Sequence, residues 1–308
     1  MSVDAFRVES GSRPDLAALP TNDPIGYIGG RILPMTRIAG KAGTVYDMAL
    51  VADAVATTSR TAGSAPTAVS ITENSSAIST AELIKRYKLP WESIPLLGGL
   101  AASEALGAKA AKRSVQNALE KAQLAILVDG AGTSITSAIV DGIIDACDQV
   151  HRYAGRTAFV CDVGIYRWLI QQTEIQNLMV RTFGGLGAAE SLSLVPAVFK
   201  NMLQALFGIE EVLIADDTFY PYSYRTTAAV VKIPAGADDA SYLMQPEYGR
   251  TFVYWPTDSG PIEINSFTDD DIRSNVYDGI IWYDAEEFNS DAKVLLTLST
   301  SGSTTAGG

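Results

Sequence analysis

Between Leu97 and Leu127 the chain carries one long helical period, and this stretch constrains the fold more than any other. Ala108, Ala111, Val115, Ala118, Leu119, Ala122 and Ile126 recur at steps of three and four, the spacing of one helix face. Lys109, Lys112, Arg113, Gln116, Glu120 and Gln123 fall on the other faces. Asp129-Gly130 supplies a C-terminal stop. At 1.5 Å per residue the rod is about 45 Å long, and the remaining elements have to pack along it. Immediately upstream the texture is the opposite. Residues 52–80 are rich in Ala, Thr and Ser and poor in large apolar groups, so they cannot bury a core of their own. They read as a long, hairpin-like excursion.

The first 30 residues read as an extended arm. Pro14, Pro20, Pro24, Gly26, Gly29 and Gly30 punctuate them too often for a helix or a long central strand. Strand character follows at Arg31–Met35 and Thr44–Val51, separated by the turn-forming Ala39–Gly43. Beyond the long helix the pattern alternates. Ile139, Val140, Ile143, Ile144, Cys147 and Val150 mark an amphipathic helix, Thr157–Cys161 a short strand, and Asp162 an N-cap for a helix around Ile165–Gln171. Ser193, Pro196 and Gly208 bracket a further helix over Ala197–Phe207, which feeds a strand at Glu211–Ala215. Strands are expected at Ala228–Ile233, Thr251–Trp255, Pro261–Phe267, Val276–Tyr283 and Lys293–Leu298, before a Ser/Thr/Gly tail. The alternation of helices and strands suggests a mixed α/β domain with helices packed on a sheet, within a chain of the α+β class overall.

Composition narrows the function. With 47% hydrophobic and 19% charged residues, a wholly disordered chain is excluded. The net charge of −12 is unevenly spread: residues 1–130 carry 13 Lys and Arg against 12 Asp and Glu, residues 131–308 carry 10 against 23. A chain that condenses nucleic acid by neutralising phosphates needs the reverse balance. The N-terminus has no apolar segment resembling a secretory signal, and no run of 18 apolar residues is present to span a membrane. Cys147 and Cys161, without a CxxC partner, read as buried thiols in a reducing cytoplasm.

Catalytic patterns are hard to find. His151 is the single histidine, and its place at a helix C-terminus is favourable through the macrodipole alone. One histidine and two separated cysteines do not assemble a usual zinc site. Thr268–Asp271, Asp216-Asp217 and Asp238-Asp239 lack the spacing of an EF-hand loop. The glycine cluster Gly184–Ala189 matches neither phosphate-loop pattern, because Glu190 stands where the last glycine belongs. Arg31, Arg37, Lys41 and Arg60 are widely spaced with no aromatic interleaving, so they offer no base-stacking platform. No catalytic, cofactor-binding or metal-ligating residue is assigned, no cofactor is implied, and a non-enzyme is expected.

The order of elements carries a resemblance. Gly26–Met48 (GYIGGRILPMTRIAGKAGTVYDM), the loop return and long helix of Ser79–Asp129, the run LFGIEEVLIAD within Asp145–Tyr220, and FTDDDIRSNVYDG at Phe267–Gly279 are similar to segments of the major capsid proteins of tailed double-stranded-DNA phages. The match is by order and texture over nearly the whole chain from about residue 26.

The resemblance implies a Hong Kong 97-type fold: an N-terminal arm at 1–35, an extended β-hairpin loop at 36–80, a peripheral domain with the spine helix at 81–136 and 262–300, a mixed α/β axial domain at 137–261, and a tail at 301–308. It implies self-assembly into hexamers and pentamers of an icosahedral shell around packaged double-stranded DNA, without sequence-specific binding. Arm and loop are then expected to order by lying across neighbouring subunits. Portal, scaffolding and decoration proteins are the implied partners, the virion capsid the implied location, and the host cytoplasm the place of assembly. Met1 precedes the arm closely, so a separate scaffolding protein or an already processed chain is implied. Some members of the family crosslink a loop lysine, and Lys41 and Lys85 flank the loop here with no residue-level match. Two alternatives stay open: an encapsulin-type nanocompartment shell, and a soluble α/β enzyme or binding protein with no recognisable site.

Overall fold

The computed structural model describes residues 7–8, 10–19, 27–48, 73–130, 132–135, 138–153, 155–183, 200–215, 227–234, 248–255 and 260–298. The chain enters through β1 (Gly11–Ser12) and two single-turn helices, α1 (Pro14–Ala17) and α2 (Gly29–Ile32). Then come β2 (Met35–Ile38), the antiparallel pair β3 (Ala42–Met48) and β4 (Glu73–Ser79), and β5 (Ala81–Pro90). The long helix is α3 (Leu100–Val128). Beyond it lie β6 (Thr133–Ile135), α4 (Ile139–Val150), β7 (Arg156–Asp162), α5 (Val163–Gln171), α6 (Thr173–Phe183) and a helix at 200–207, α7. The chain finishes in strands β8 (Glu211–Ala215), β9 (Thr227–Ile233), β10 (Gly249–Tyr254), β11 (Glu263–Asp269), β12 (Ser274–Glu287) and β13 (Lys293–Leu298).

Apart from the β3–β4 pair, two sheets organise these strands, and α3 packs on both. The first has β1, β11, β12, β10 and β2 in that order, with β5 added along β12. Its inner face sends Leu83, Tyr87, Leu89, Val253, Ile264, Tyr277 and Ile281 against Ala108, Ala111, Val115 and Leu119 of α3. The approach is close enough to require glycine on both sides. A Cβ on Gly107 would stand 2.3 Å from the Tyr277 ring, and one on Gly279 would stand 2.9 Å from Val115 Cγ2. The second sheet runs β6-β13-β9-β7-β8. One face takes the last turns of α3 (Leu124, Leu127, Val128) with Ile28, Ile32 and Leu33; the other takes α4, α5 and α7. Strands β7 and β9 alternate between these two cores, Ala158 and Val160 facing one, Phe159 and Cys161 the other. Covered on both sides, they read as continuous apolar runs.

Several expectations hold in detail. Asp162 caps α5, accepting from Ile165 N at 2.6 Å. Asp129-Gly130 ends α3, with Gly130 at φ +119°, and Gly208 follows α7 at φ +66°.

Others need correction. The arm is not free of helix, since α1 and α2 each make one turn, and the strand expected at Arg31–Met35 starts only at Met35. β5, β6 and α6 were not anticipated. Glu120 and Gln123, placed on the polar side of the long helix, are only 3% and 2% exposed. The cause is the segment around α2, which crosses that side of α3 and brings backbone groups that need partners. Ile28 N and Gly29 N donate to the Glu120 carboxylate at 2.8 and 2.9 Å. Gln123 Nε2 donates to Leu33 O at 3.2 Å and to Thr251 Oγ1 at 2.8 Å. β10 joins the first sheet through β12 and β2, whereas β13 joins the second through β9 and β6. Periodicity reports how a strand is buried, not which sheet it joins.

Candidate assembly surfaces

Two segments, the N-terminal arm and the β3–β4 hairpin, are held differently against the body of the chain. The described part of the arm lies along the chain's own first sheet and spine helix. β1 pairs with β11, Arg13 N donates to Ile264 O at 2.7 Å, and Leu16 and Ala17 are buried beside Ala108 and Ala111. Arg13 sits between Asp15 at 2.8 Å and Glu104 at 3.3 Å, and Lys112 Nζ reaches the carbonyls of Ala17 at 3.1 Å and Leu19 at 3.2 Å. Arg7 pairs with Asp270 at 3.1 Å. The expectation that the arm orders only on a neighbour is therefore corrected for residues 7–19.

The β3–β4 hairpin is fastened at its root. Thr80 N donates to Lys41 O at 2.9 Å and Ser79 N to Asp284 Oδ2 at 2.8 Å. Ile78 is buried against Phe252, with Ile38 and Phe288 alongside. Lys41 Nζ lies 4.2 Å from the Trp282 ring centroid and 5.8 Å from that of Tyr254, and the Arg37 guanidinium lies 5.4 Å from Trp255. The aromatic partners missing around Arg37 and Lys41 in sequence arrive from β10 and β12, more than two hundred positions away, and serve to pin the hairpin. Residues 49–72, which include Arg60, lie outside the described residues.

A third surface is the tip where the chain turns from β5 into α3. Trp91 N donates to Arg273 O at 3.0 Å, which brings this turn beside the β11–β12 connection. Leu96 is 87% exposed and Ile272 47%.

The residues weighed for chemistry do not converge. His151 caps the C-terminus of α4 and is exposed. Cys147 and Cys161 are free and buried in the same core. Burial pushes the Cys147 thiol up to about 11 and the Cys161 thiol up as well. Thiolates are the reactive form, so both are chemically quiet. Asp269–Asp271 close the β11–β12 hairpin, and Asp270 is taken by Arg7. Arg31 pairs with Glu211, which Arg156 also reaches at 3.6 Å. Lys85 is exposed on β5. Asp216-Asp217, Asp238-Asp239 and Gly184–Ala189 lie outside the described residues. Among the described residues no group of three or more His, Cys, Asp or Glu is placed to hold a metal. An open cleft of about 530 Å³, lined by Asp129, Gln149, Glu287 and Lys293 among others, satisfies its cation internally. There Lys293 Nζ donates to Glu287 at 2.8 Å and to Ile126 O at 3.0 Å.

No protein-family model matches the sequence, and no curated protein matches it. Solved structures do match. A phage-related protein from Bordetella bronchiseptica RB50 aligns with a TM-score of 0.63 at 14% identity, over 94% of this chain and 97% of that one. A chain from the capsid of cyanophage P-SCSP1u aligns at TM-score 0.57 and 11% identity, over 91% of this chain and 90% of the other. The chain has the Hong Kong 97-type capsid fold. A chain of the bacteriophage PhiM1 mature capsid gives the same result, with TM-score 0.53, 12% identity, and 92% and 90% covered. The α+β class and the capsid fold inferred from element order are both met. No helix among the described residues is long and apolar enough to cross a membrane.

Proposed function

We propose that this chain is a structural shell subunit that self-associates into hexameric and pentameric capsomers of an icosahedral capsid enclosing double-stranded DNA. The observation that carries the reading is the near end-to-end likeness to chains from phage capsids. The hairpin supports it: β3 and β4 form a separate two-stranded ribbon fastened at its root to Asp284 and Phe252, the form of an element that lies across another subunit. Many copies in a closed shell turn weak contacts at hairpin and tip into a stable assembly. In this reading the six-stranded sheet with α3 forms the peripheral part and the five-stranded sheet with α4–α7 the axial part. The subunit has no enzymatic role, resides in the virion after assembly in the host cytoplasm, and works with portal and scaffolding proteins and with decoration proteins where present.

Size-exclusion chromatography and negative-stain microscopy of the expressed full chain test the proposal. Closed shells or capsomers are expected; a stable 32.7 kDa monomer at high concentration would overturn it. Nuclease-protected DNA inside shells is expected, and enzyme cargo in its place would assign the shell to a cellular compartment.

A further inference from the structure

The segment that crosses α3 is gripped at both ends of α2, and one face of α3 supplies both grips. Glu120 and Gln123 stand at i,i+3, so they share that face. At the leading end Glu120 Oε1 accepts from Ile28 N at 2.8 Å and from Gly29 N at 2.9 Å, and Oε2 also lies 2.9 Å from Gly29 N. No side chain of the segment itself caps this end. At the trailing end Gln123 Nε2 donates to Leu33 O at 3.2 Å and to Thr251 Oγ1 at 2.8 Å. Thr251 closes the triangle: its Oγ1 donates to Leu33 O and its N to Pro34 O, both at 3.1 Å. The seat between the grips has room for glycine alone. A Cβ on Gly29 would meet Gln123 Oε1 and stand 2.7 Å from Glu120 Oε2.

The two grips differ in chemistry. The trailing one is made of neutral groups only. The leading one rests on a buried carboxyl with no cation in ion-pair reach among the described residues. Charged groups on the surrounding elements are turned elsewhere: Arg31 of α2 to Glu211, Arg250 of β10 to Thr36, Arg37 of β2 to Trp255, and Lys293 of β13 to Glu287. On α3 itself, Lys112 reaches the carbonyls of Ala17 and Leu19, and Lys121 is exposed. A buried carboxylate without a countercharge is unfavourable, and burial pushes Glu120 toward its protonated form. A proton on Oε2 leaves Oε1 free to accept from both amides, so the neutral acid keeps the seat and sheds only the buried charge. We infer that Glu120 is a proton-operated catch on residues 27–33, firmest when its carboxyl is neutral and loosened when it ionises, with Leu33 and Pro34 as the hinge. Ionisation acts on the leading end alone, so Ile28 and Gly29 lift first while Gln123 and Thr251 hold the trailing end. The lifted carboxyl meets water and binds its proton less tightly than the seated one. The catch is therefore strongest at low pH and weakens as pH rises through the seated group's range. The inference concerns the subunit's own fold and stands apart from the shell reading.

Hydrogen exchange of the full chain tests this, with each amide's rate divided by its intrinsic rate at the same pH. Between pH 5 and pH 8 the protection of the Ile28 and Gly29 amides is expected to fall by about threefold or more in the wild type. The Thr251 amide, at the neutral grip, is expected to keep its protection over the same range. Glu120→Gln carries the accepting carbonyl without the titrating proton, and its Ile28 and Gly29 amides are expected to stay protected, changing by less than about twofold. Gly29→Ala presses a methyl onto both grips and is expected to lose protection at Ile28 at both pH values, and with it the pH response. Constant protection in the wild type, an equal fall at Thr251, or the same fall in Glu120→Gln would overturn the inference. So would a Glu120→Gln protein that keeps its cooperative thermal transition yet leaves Ile28 unprotected at both pH values, since the neutral group would then not be the closed form. Wild-type behaviour in Gly29→Ala would overturn the two-grip seat.

Discussion

The arm and the hairpin both fall outside the helical pattern in sequence, yet the structure holds them differently. Residues 7–19 bury Val8, Leu16 and Ala17 in the core shared by α3 and β11. The hairpin buries Ile78 at its root, beside Phe252. The arm contributes to the chain's own core, whereas the described hairpin touches that core only near its root. In the proposed shell the first would stabilise the monomer and the second the assembly.

The largest expected effect breaks that contrast outright. Replacing residues 49–72 with a short Gly/Ser linker is expected to leave a folded subunit, judged by an unchanged cooperative thermal transition, that forms no capsomers by size-exclusion. Retained assembly would show that the hairpin is dispensable. On the arm side, Leu16→Ala is expected to cost about 2–4 kcal/mol in urea unfolding of the monomer, the usual range for emptying a buried leucine site. A cost below about 0.5 kcal/mol would mean that the arm is only lightly docked in solution.

A smaller effect concerns pH. Glu120 anchors the segment around α2, and its burial raises its pKa above the usual glutamate value despite the two backbone donors. A carboxyl whose folded pKa is raised binds its proton more tightly in the native state. The stabilisation from that proton is fully present below the unfolded pKa and is lost as pH rises through the folded one. Wild type is therefore expected to gain stability relative to Glu120→Gln as pH is lowered from 7 through the glutamate range, measured by urea titrations at several pH values. Parallel curves for the two proteins would remove the carboxylate from the account. The smallest effect lies at the hairpin root. Lys41→Ala removes the cation over Trp282 and Tyr254 and is expected to cost under about 1 kcal/mol globally. It should still speed hydrogen exchange at the Ser79 and Thr80 amides several-fold. Unchanged exchange there would show that the backbone and Asp284 bonds hold the root unaided.

What was legible in the sequence follows from what periodicity measures. The spine helix, α4, the Asp162 cap and the strands after residue 227 were readable because each is packed by one face or buried on both. The segment at 81–90 was not, because β5 is a mostly exposed strand with Lys85, Arg86 and Lys88 in its middle, and its place depends on its register with β12. Glu120 and Gln123 were misassigned for a related reason. A polar residue under a crossing backbone segment has the same local pattern as one facing water, and only the remote partners at Ile28, Gly29, Leu33 and Thr251 tell them apart. The pairing of Lys41 with Trp282 was beyond reach in the same way.

The close seat of α3 on β12 has a mechanical consequence. Gly107 receives the Tyr277 ring and Gly279 receives Val115 and the Ala111 backbone, so helix and strand are keyed together at two separate points. Two keys remove sliding along the axis and rotation about it. Shifting the helix by one residue in either direction would drive the Tyr277 ring or the Val115 methyl against a Cβ, so α3 and β12 fit together in a single register.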